Sequence, residues 1–146
     1  MYNYRKLSHV KYCCEYHFVW IPKYRYGVLV DQVSDSLKVI LQELCDWLDI
    51  VIIEGAICSD HVHLCLSIPP KYSLSYVMKI LKGKSAERLV KECSEFKKFY
   101  WKGSIWARGY FVSTVGLNQE VIRRYIQKQR EEEEREKQLK IWREGI

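Results

Sequence analysis

Two clusters of side chains in this sequence have the types and spacing that chemistry needs. The first is His61-Val62-His63. Alternation along a strand puts both imidazoles on one face, about 7 Å apart at Cα, close enough to ligate one metal. Val62, with Leu64, Leu66 and Ile68, would then face the core and decide which way the histidines point. An inert pair on a sheet face has the same spacing, so the pair alone leaves both readings open. Cys65 continues the histidine face, and His61, His63 and Cys65 together would resemble a soft zinc site. Three alternating positions splay along ~13 Å of strand, however, too far to converge on one ion. A third ligand should come from another element.

The second cluster is Tyr125 and Gln129, at i,i+4 and so on one face of a helix. A phenol with a pKa near 10 is a poor nucleophile at neutral pH. It becomes useful when a cation stabilises charge at a phosphate. A glutamine one turn away, offering its amide oxygen to that cation, would tie metal and nucleophile together. A half-buried tyrosine beside a surface glutamine fits the same helix. Gly83-Lys84-Ser85 looks like the end of a phosphate-binding loop, but Met78 stands where that motif needs a glycine and the segment reads as helix. A nucleotide-binding loop is therefore rejected. Lys82 and Lys84 remain as contacts to a DNA backbone or as solvated helix charges.

The elements that must position these residues follow from hydrophobic period. Residues 11–20 are aromatic and β-branched and end at Pro22. They predict a strand with Tyr12, Cys14, Tyr16, Phe18 and Trp20 on one face and His17 on the other. Val33, Leu37, Ile40, Leu44 and Trp47 recur at helical spacing, predicting an amphipathic helix from near Asp31. Residues 50–58 and 61–68 read as a hairpin turning at Ser59-Asp60. Ser73 or Ser75 can cap the next helix, which runs to about residue 95. Residues 99–115 are strand-like, and Asn118 is a good cap for a last helix carrying Val121, Ile122, Tyr125, Ile126 and Gln129 on one side. Strand, helix, strand, strand, helix, strand is the split β-α-β order of a ferredoxin-like α+β fold, with one helix added. Beyond about residue 130 the charged tail reads as a solvated continuation of that helix, with Glu131–Arg135, Glu133–Lys137 and Glu136–Lys140 as i,i+4 pairs.

The totals agree with one domain over 1–146, at 48% hydrophobic content. No apolar run approaches the ~20 residues of a membrane span, and no apolar signal core follows the N-terminus, so a cytoplasmic protein with no membrane partner is expected. Six scattered cysteines without a C-x-x-C pair read as reduced thiols packed as small hydrophobes. Of the net charge of +6, residues 130–146 contribute five Lys/Arg and six Asp/Glu, a balance of −1. The first 129 residues therefore carry +7, and a basic body suggests an anionic partner such as nucleic acid.

With these residues in place, the sequence resembles the HUH single-tyrosine transposases of insertion sequences that move as single strands (the IS200-like transposases). The resemblance covers most of residues 9–130. It is carried by Y-H-F-V-W-I-P-K-Y-R (Tyr16 to Arg25), D-H-V-H-L (Asp60 to Leu64), L-K-G-K-S-A (Leu81 to Ala86), W-A-R-G-Y-F-V-S-T-V-G (Trp106 to Gly116) and Y-I-Q-K-Q (Tyr125 to Gln129). It implies that His61, His63 and Gln129 bind Mg2+ or Mn2+ and that Tyr125 attacks the scissile phosphate, leaving a 5′-phosphotyrosine and a free 3′-hydroxyl. It further implies single-stranded DNA with hairpins as substrate, a homodimer joined through its sheets, and no need for a nucleoside triphosphate. Lys23, Arg25, Lys82, Lys84 and Arg108 are the expected DNA contacts. Ser59 departs from the proline that many relatives carry there. Two other readings use the same residues: a domesticated repeat-associated tyrosine nuclease, and a non-catalytic single-strand binder with Trp101 and Trp106 as stacking platforms.

Overall fold

Strict alternation decides the centre of the molecule. In the computed structural model, which describes residues 4–23, 28–93 and 105–144, strand β3 (Glu15–Trp20) lies between β5 (His61–Ser67) and β6 (Phe111–Ser113). Strand β4 (Val51–Cys58) pairs with β5 and forms the far edge, so the order is β4-β5-β3-β6, antiparallel at every pair. Helix α1 (Asp31–Trp47) connects β3 to β4 and α2 (Leu74–Glu92) connects β5 to β6. That order and those connections are the ferredoxin-like arrangement. Helix α3 (Gln119–Arg143) follows the sheet.

Phe18 and Trp20 on β3, with Val62, Leu64 and Leu66 on β5, point to one face and are buried beneath α1 and α2. Helix α1 buries Val33, Leu37, Ile40, Leu41 and Cys45 against them. Trp47, expected on that face, is instead 71% exposed. The helix ends at that residue, and Leu48 and Ile50 beyond it take the buried positions. The odd-numbered residues of β3 point the other way. Val19 and Ile21 meet Ala107 and, from α3, Ile122 and Ile126. The sheet is thus covered on both faces, by two helices on one and by the first turns of α3 on the other.

Local signals set the ends. Ser73 accepts from the Tyr76 amide (3.1 Å) and Asn118 from the Val121 amide (2.9 Å), each satisfying a first-turn donor of its helix. Gly55 lies on β4 where a Cβ would sit 2.7 Å from Leu64 Cδ2, so a side chain there would require the buried Leu64 to shift. One expectation is corrected at the N-terminal end, and another is narrowed before α3. The predicted strand over 11–20 is broken: Val10–Tyr12 (β2) pairs with Arg5–Leu7 (β1) in a separate hairpin, turned by His9 at φ 63°. Within predicted strand 99–115, residues 99–104 lie outside the described residues, and Phe111–Ser113 is the part in the sheet.

Candidate active site

β5 delivers His61 and His63 to the face opposite the main core, as its alternation requires. Register places His63 directly opposite Val19, and Val19 packs under α3, so the histidines and α3 share a face. His61 is 8% exposed. Its Nδ1 lies 2.8 Å from Asp60 Oδ1, which as a carboxylate accepts the proton and leaves Nε2 with the lone pair. The other oxygen of Asp60 accepts from Arg130 of α3 at 3.2 Å. One carboxylate therefore joins the histidine strand to the helix that carries Tyr125 and Gln129.

On that helix, Gln129 Nε2 donates to Tyr125 Oη at 2.8 Å and to the Arg108 carbonyl at 3.2 Å. Both bonds use the amide nitrogen, so the amide oxygen is the atom suited to a cation. Tyr125 stacks edge-on against Phe111 of β6, and burial pushes its phenol above 10, only partly offset by the hydrogen bond from Gln129. The free phenol is neutral at physiological pH and needs help to become a nucleophile.

Sequence reasoning missed a third imidazole. Alternation puts His17 on the non-core face of β3 and gives it no role there, but its Nδ1 lies 3.3 Å from His63 Nε2. One ring must donate and the other accept, so the two tautomers are set together. Burial first, and the neighbouring His17 second, hold His63 below the usual imidazole range. A neutral imidazole is the form that binds metal. The signal was available, since alternation from His17 and from His63 puts both on one face, but only strand pairing brings β3 and β5 into register.

Cys65 does not extend the histidine pair into a soft thiolate site. Cys65 is buried, and its thiol is pushed up to about 11 by burial and by Glu15 and Glu54. It stays protonated and is a poor ligand. Among the described residues no three His, Cys, Asp or Glu side chains gather as a metal cage. The donors on this face are the imidazoles of His61 and His63 on β5 and the Gln129 amide on α3.

The expected DNA contacts divide. Arg25 lies outside the described residues. Lys84 is exposed and 3.7 Å from Glu87, Arg108 is exposed, and Lys23 is half-buried with its amide bonded to the Ile105 carbonyl. Lys82 is turned inward, donating to the Ala107 and Gly109 carbonyls. Trp106 is no stacking platform: it is 2% exposed, edge-on to Trp20, and its Nε1 donates to Ser85 Oγ. Trp101 lies outside the described residues. Instead, Arg124 and Lys128 line both a cavity of about 510 Å³ beside Tyr125 and one of about 660 Å³ beside Asp60. Their positions one before and three after the tyrosine could have signalled them.

The site is thus an α+β domain with a histidine pair on one strand and a tyrosine on a helix docked to the same face, and comparison with known proteins places it. Residues 10–129 match the family described as "Transposase IS200 like", and the chain belongs to that family. It is 40% identical over 137 residues to the transposase for insertion sequence element IS200 of Salmonella typhimurium, covering 94% of this chain and 90% of that protein. It is 37% identical over 123 residues to the ISDra2 transposase TnpA of Deinococcus radiodurans, covering 84% and 88%. A crystal structure of a Deinococcus radiodurans protein assigned as a transposase superposes with a TM-score of 0.77 at 35% identity, covering 86% of this chain and 97% of that one. A REP-associated tyrosine transposase bound to a REP hairpin shares the fold at a TM-score of 0.52 and 14% identity, covering 86% and 68%.

Proposed function

We propose that this transposase cuts and rejoins single-stranded DNA at hairpin-marked ends through a 5′-phosphotyrosine, with Tyr125 as nucleophile. The observation that carries the reading is the linkage across one face. Gln129 holds the Tyr125 hydroxyl at 2.8 Å, and the next residue, Arg130, is tied through Asp60 to His61. Nucleophile and histidines belong to one connected constellation although more than sixty residues separate them.

The Tyr125 oxygen attacks phosphorus, the new Tyr–O–P bond forms, and the P–O3′ bond breaks. The departing 3′-oxygen takes up a proton, so the phenol proton is balanced by the new 3′-hydroxyl. Rejoining reverses the roles: a 3′-hydroxyl attacks and the phenol is restored. Because the phosphodiester energy is kept in the tyrosyl ester, no nucleotide fuel is required. His61, His63 and Gln129 would hold Mg2+ or Mn2+, which when bound polarises the phosphate and offsets developing charge. Arg124 and Lys128 beside Tyr125 supply positive charge along the path of the strand.

A homodimer joined at the sheet is part of this reading. Strand β4 is eight residues long, stands at the edge, and leaves Val51 and Ile53 exposed. An exposed edge strand of this length is a template on which a second copy's strand could pair. Among the described residues no helix is long and apolar enough to cross a membrane.

The test is incubation with labelled single-stranded hairpin ends of the surrounding element plus Mg2+, followed by denaturing electrophoresis. A covalent adduct in the parent that is absent in Tyr125→Phe is expected. An adduct in Tyr125→Phe would assign the nucleophile elsewhere, and hairpin binding without any adduct would leave a binding protein.

A further inference from the structure

The segment L-K-G-K-S-A on α2 has no part in the chemistry described so far, yet it reaches the tyrosine helix in two steps. Lys82 and Ser85 sit at i,i+3 and share a helical face. Ser85 Oγ accepts from Trp106 Nε1 at 3.0 Å and donates to the Lys82 carbonyl at 3.2 Å. Lys82 Nζ donates to the Ala107 carbonyl at 2.9 Å and to the Gly109 carbonyl at 2.7 Å. One turn of α2 thereby grips residues 106, 107 and 109. The carbonyl left between them, that of Arg108, points the other way and accepts from Gln129. Gly109 makes the bend possible, at φ +83°, with a would-be Cβ 3.7 Å from Gln129 Nε2.

We propose that Lys82 is a positioning residue for the cleavage reaction: it clamps the 107–109 segment so that the Arg108 carbonyl fixes the Gln129 amide, which in turn aims the Tyr125 hydroxyl. The inference rests on Tyr125 and Gln129 acting as proposed above. Its physical logic is that of satisfied carbonyls. An apolar residue at 82 would leave the Ala107 and Gly109 carbonyls without this donor. The cost of holding an ammonium there is visible, since burial alone pushes Lys82 down to about 8. A lysine needed only for solubility or DNA contact would stay in water. An amide held by one carbonyl can still rotate if that carbonyl moves, and misplacing a reacting atom by about 1 Å can cost on the order of 10²-fold in rate.

The experiment compares parent, Lys82→Met, Lys82→Arg, Gln129→Ala and the Lys82→Met/Gln129→Ala double variant in single-turnover adduct formation, at saturating hairpin DNA and Mn2+. Lys82→Met should keep hairpin affinity while slowing adduct formation by roughly 10- to 100-fold, and Lys82→Arg should recover part of the rate. The double variant should be no slower than the slower single, because Lys82 acts through Gln129. Parent-like rate in Lys82→Met, or losses that multiply in the double variant, would overturn the proposal. Should Lys82→Met not fold, Lys82→Gln, which keeps one donor for two carbonyls, replaces it with a smaller slowing expected, and a parent-like rate there overturns the proposal. If the parent itself makes no adduct, the nucleophile assignment fails, and the clamp is read separately from exchange of the Gln129 side-chain NH2 with solvent. Slow exchange in the parent and faster exchange in Lys82→Met supports the clamp, and equal exchange overturns it.

Discussion

The two faces of the sheet are built on different principles. Under α1 and α2, large side chains such as Trp20, Phe18, Leu37, Ile40 and Leu66 are wholly buried in one continuous cluster. Under α3 the apolar contact is five buried residues, Val19, Ile21, Ala107, Ile122 and Ile126, fringed by half-buried Phe111, Leu117 and Tyr125. Beside this thinner layer stand directional polar contacts, Asp60–Arg130 and Gln129–Arg108. Past residue 130 the helix is mostly exposed, with Trp142 at 83%, although Glu133 is turned inward rather than solvated. A thick apolar layer gives stability without aim. Hydrogen bonds contribute little net stability but fix direction, and a nucleophile needs direction.

That contrast can be broken or sharpened by substitution. The largest expected effect is in chemistry: Tyr125→Phe and His63→Ala should each abolish the DNA adduct while leaving the melting temperature near the parent's. A large drop in melting temperature would mean the thin face supports the fold. On the thick face, Phe18→Ala should cost about 3–5 kcal/mol in denaturant unfolding. Ile126→Ala on the thin face should cost about 2 kcal/mol, and its hydrogen exchange should quicken in α3 but not in α1 or α2. Equal, global losses from both would erase the distinction.

Asp60→Asn probes the polar link. It removes the charge paired with Arg130 and leaves His61 Nδ1 only a neutral amide acceptor, so direct Mn2+ affinity should fall roughly 10- to 100-fold. Unchanged affinity would show that Asp60 does not orient a ligand. Smallest is a pH effect in metal-free protein. Burial raises the Tyr125 phenol above its usual 10, so this group favours folding below pH 10 and loses that contribution as pH rises through its folded value. The 295 nm difference between parent and Tyr125→Phe should show no ionisation step at or below pH 10, and a step there would contradict the burial argument.

Period and punctuation carried the fold a long way. The β4–β5 hairpin, the inward set Val62, Leu64, Leu66 and Ile68, the start of α1 near Asp31, the Asn118 cap and a serine cap for α2 (Ser73, of the Ser73 and Ser75 the sequence offers) were legible, because each is decided within a few residues. The break between β2 and β3 was not, since a continuous aromatic and β-branched run carries no mark of where one sheet stops and another begins. Trp47 illustrates the same limit: helical spacing predicts a face, but where the helix leaves the core depends on what packs there.

The site divides along the same line. His61 with His63, and Tyr125 with Gln129, could be paired from sequence because strand and helix periods place neighbours two or four residues apart on one face. What the sequence alone determined is therefore the two halves and the direction each side chain takes from its own element. Only the tertiary structure decided that the halves meet through Asp60 and Arg130, that His17 comes to lie 3.3 Å from His63, and that Lys82 turns away from solvent to two carbonyls. Those contacts span separations of 70, 46 and 25 to 27 residues. No local period encodes them, because they exist only once strand register and helix docking have set which backbones run side by side.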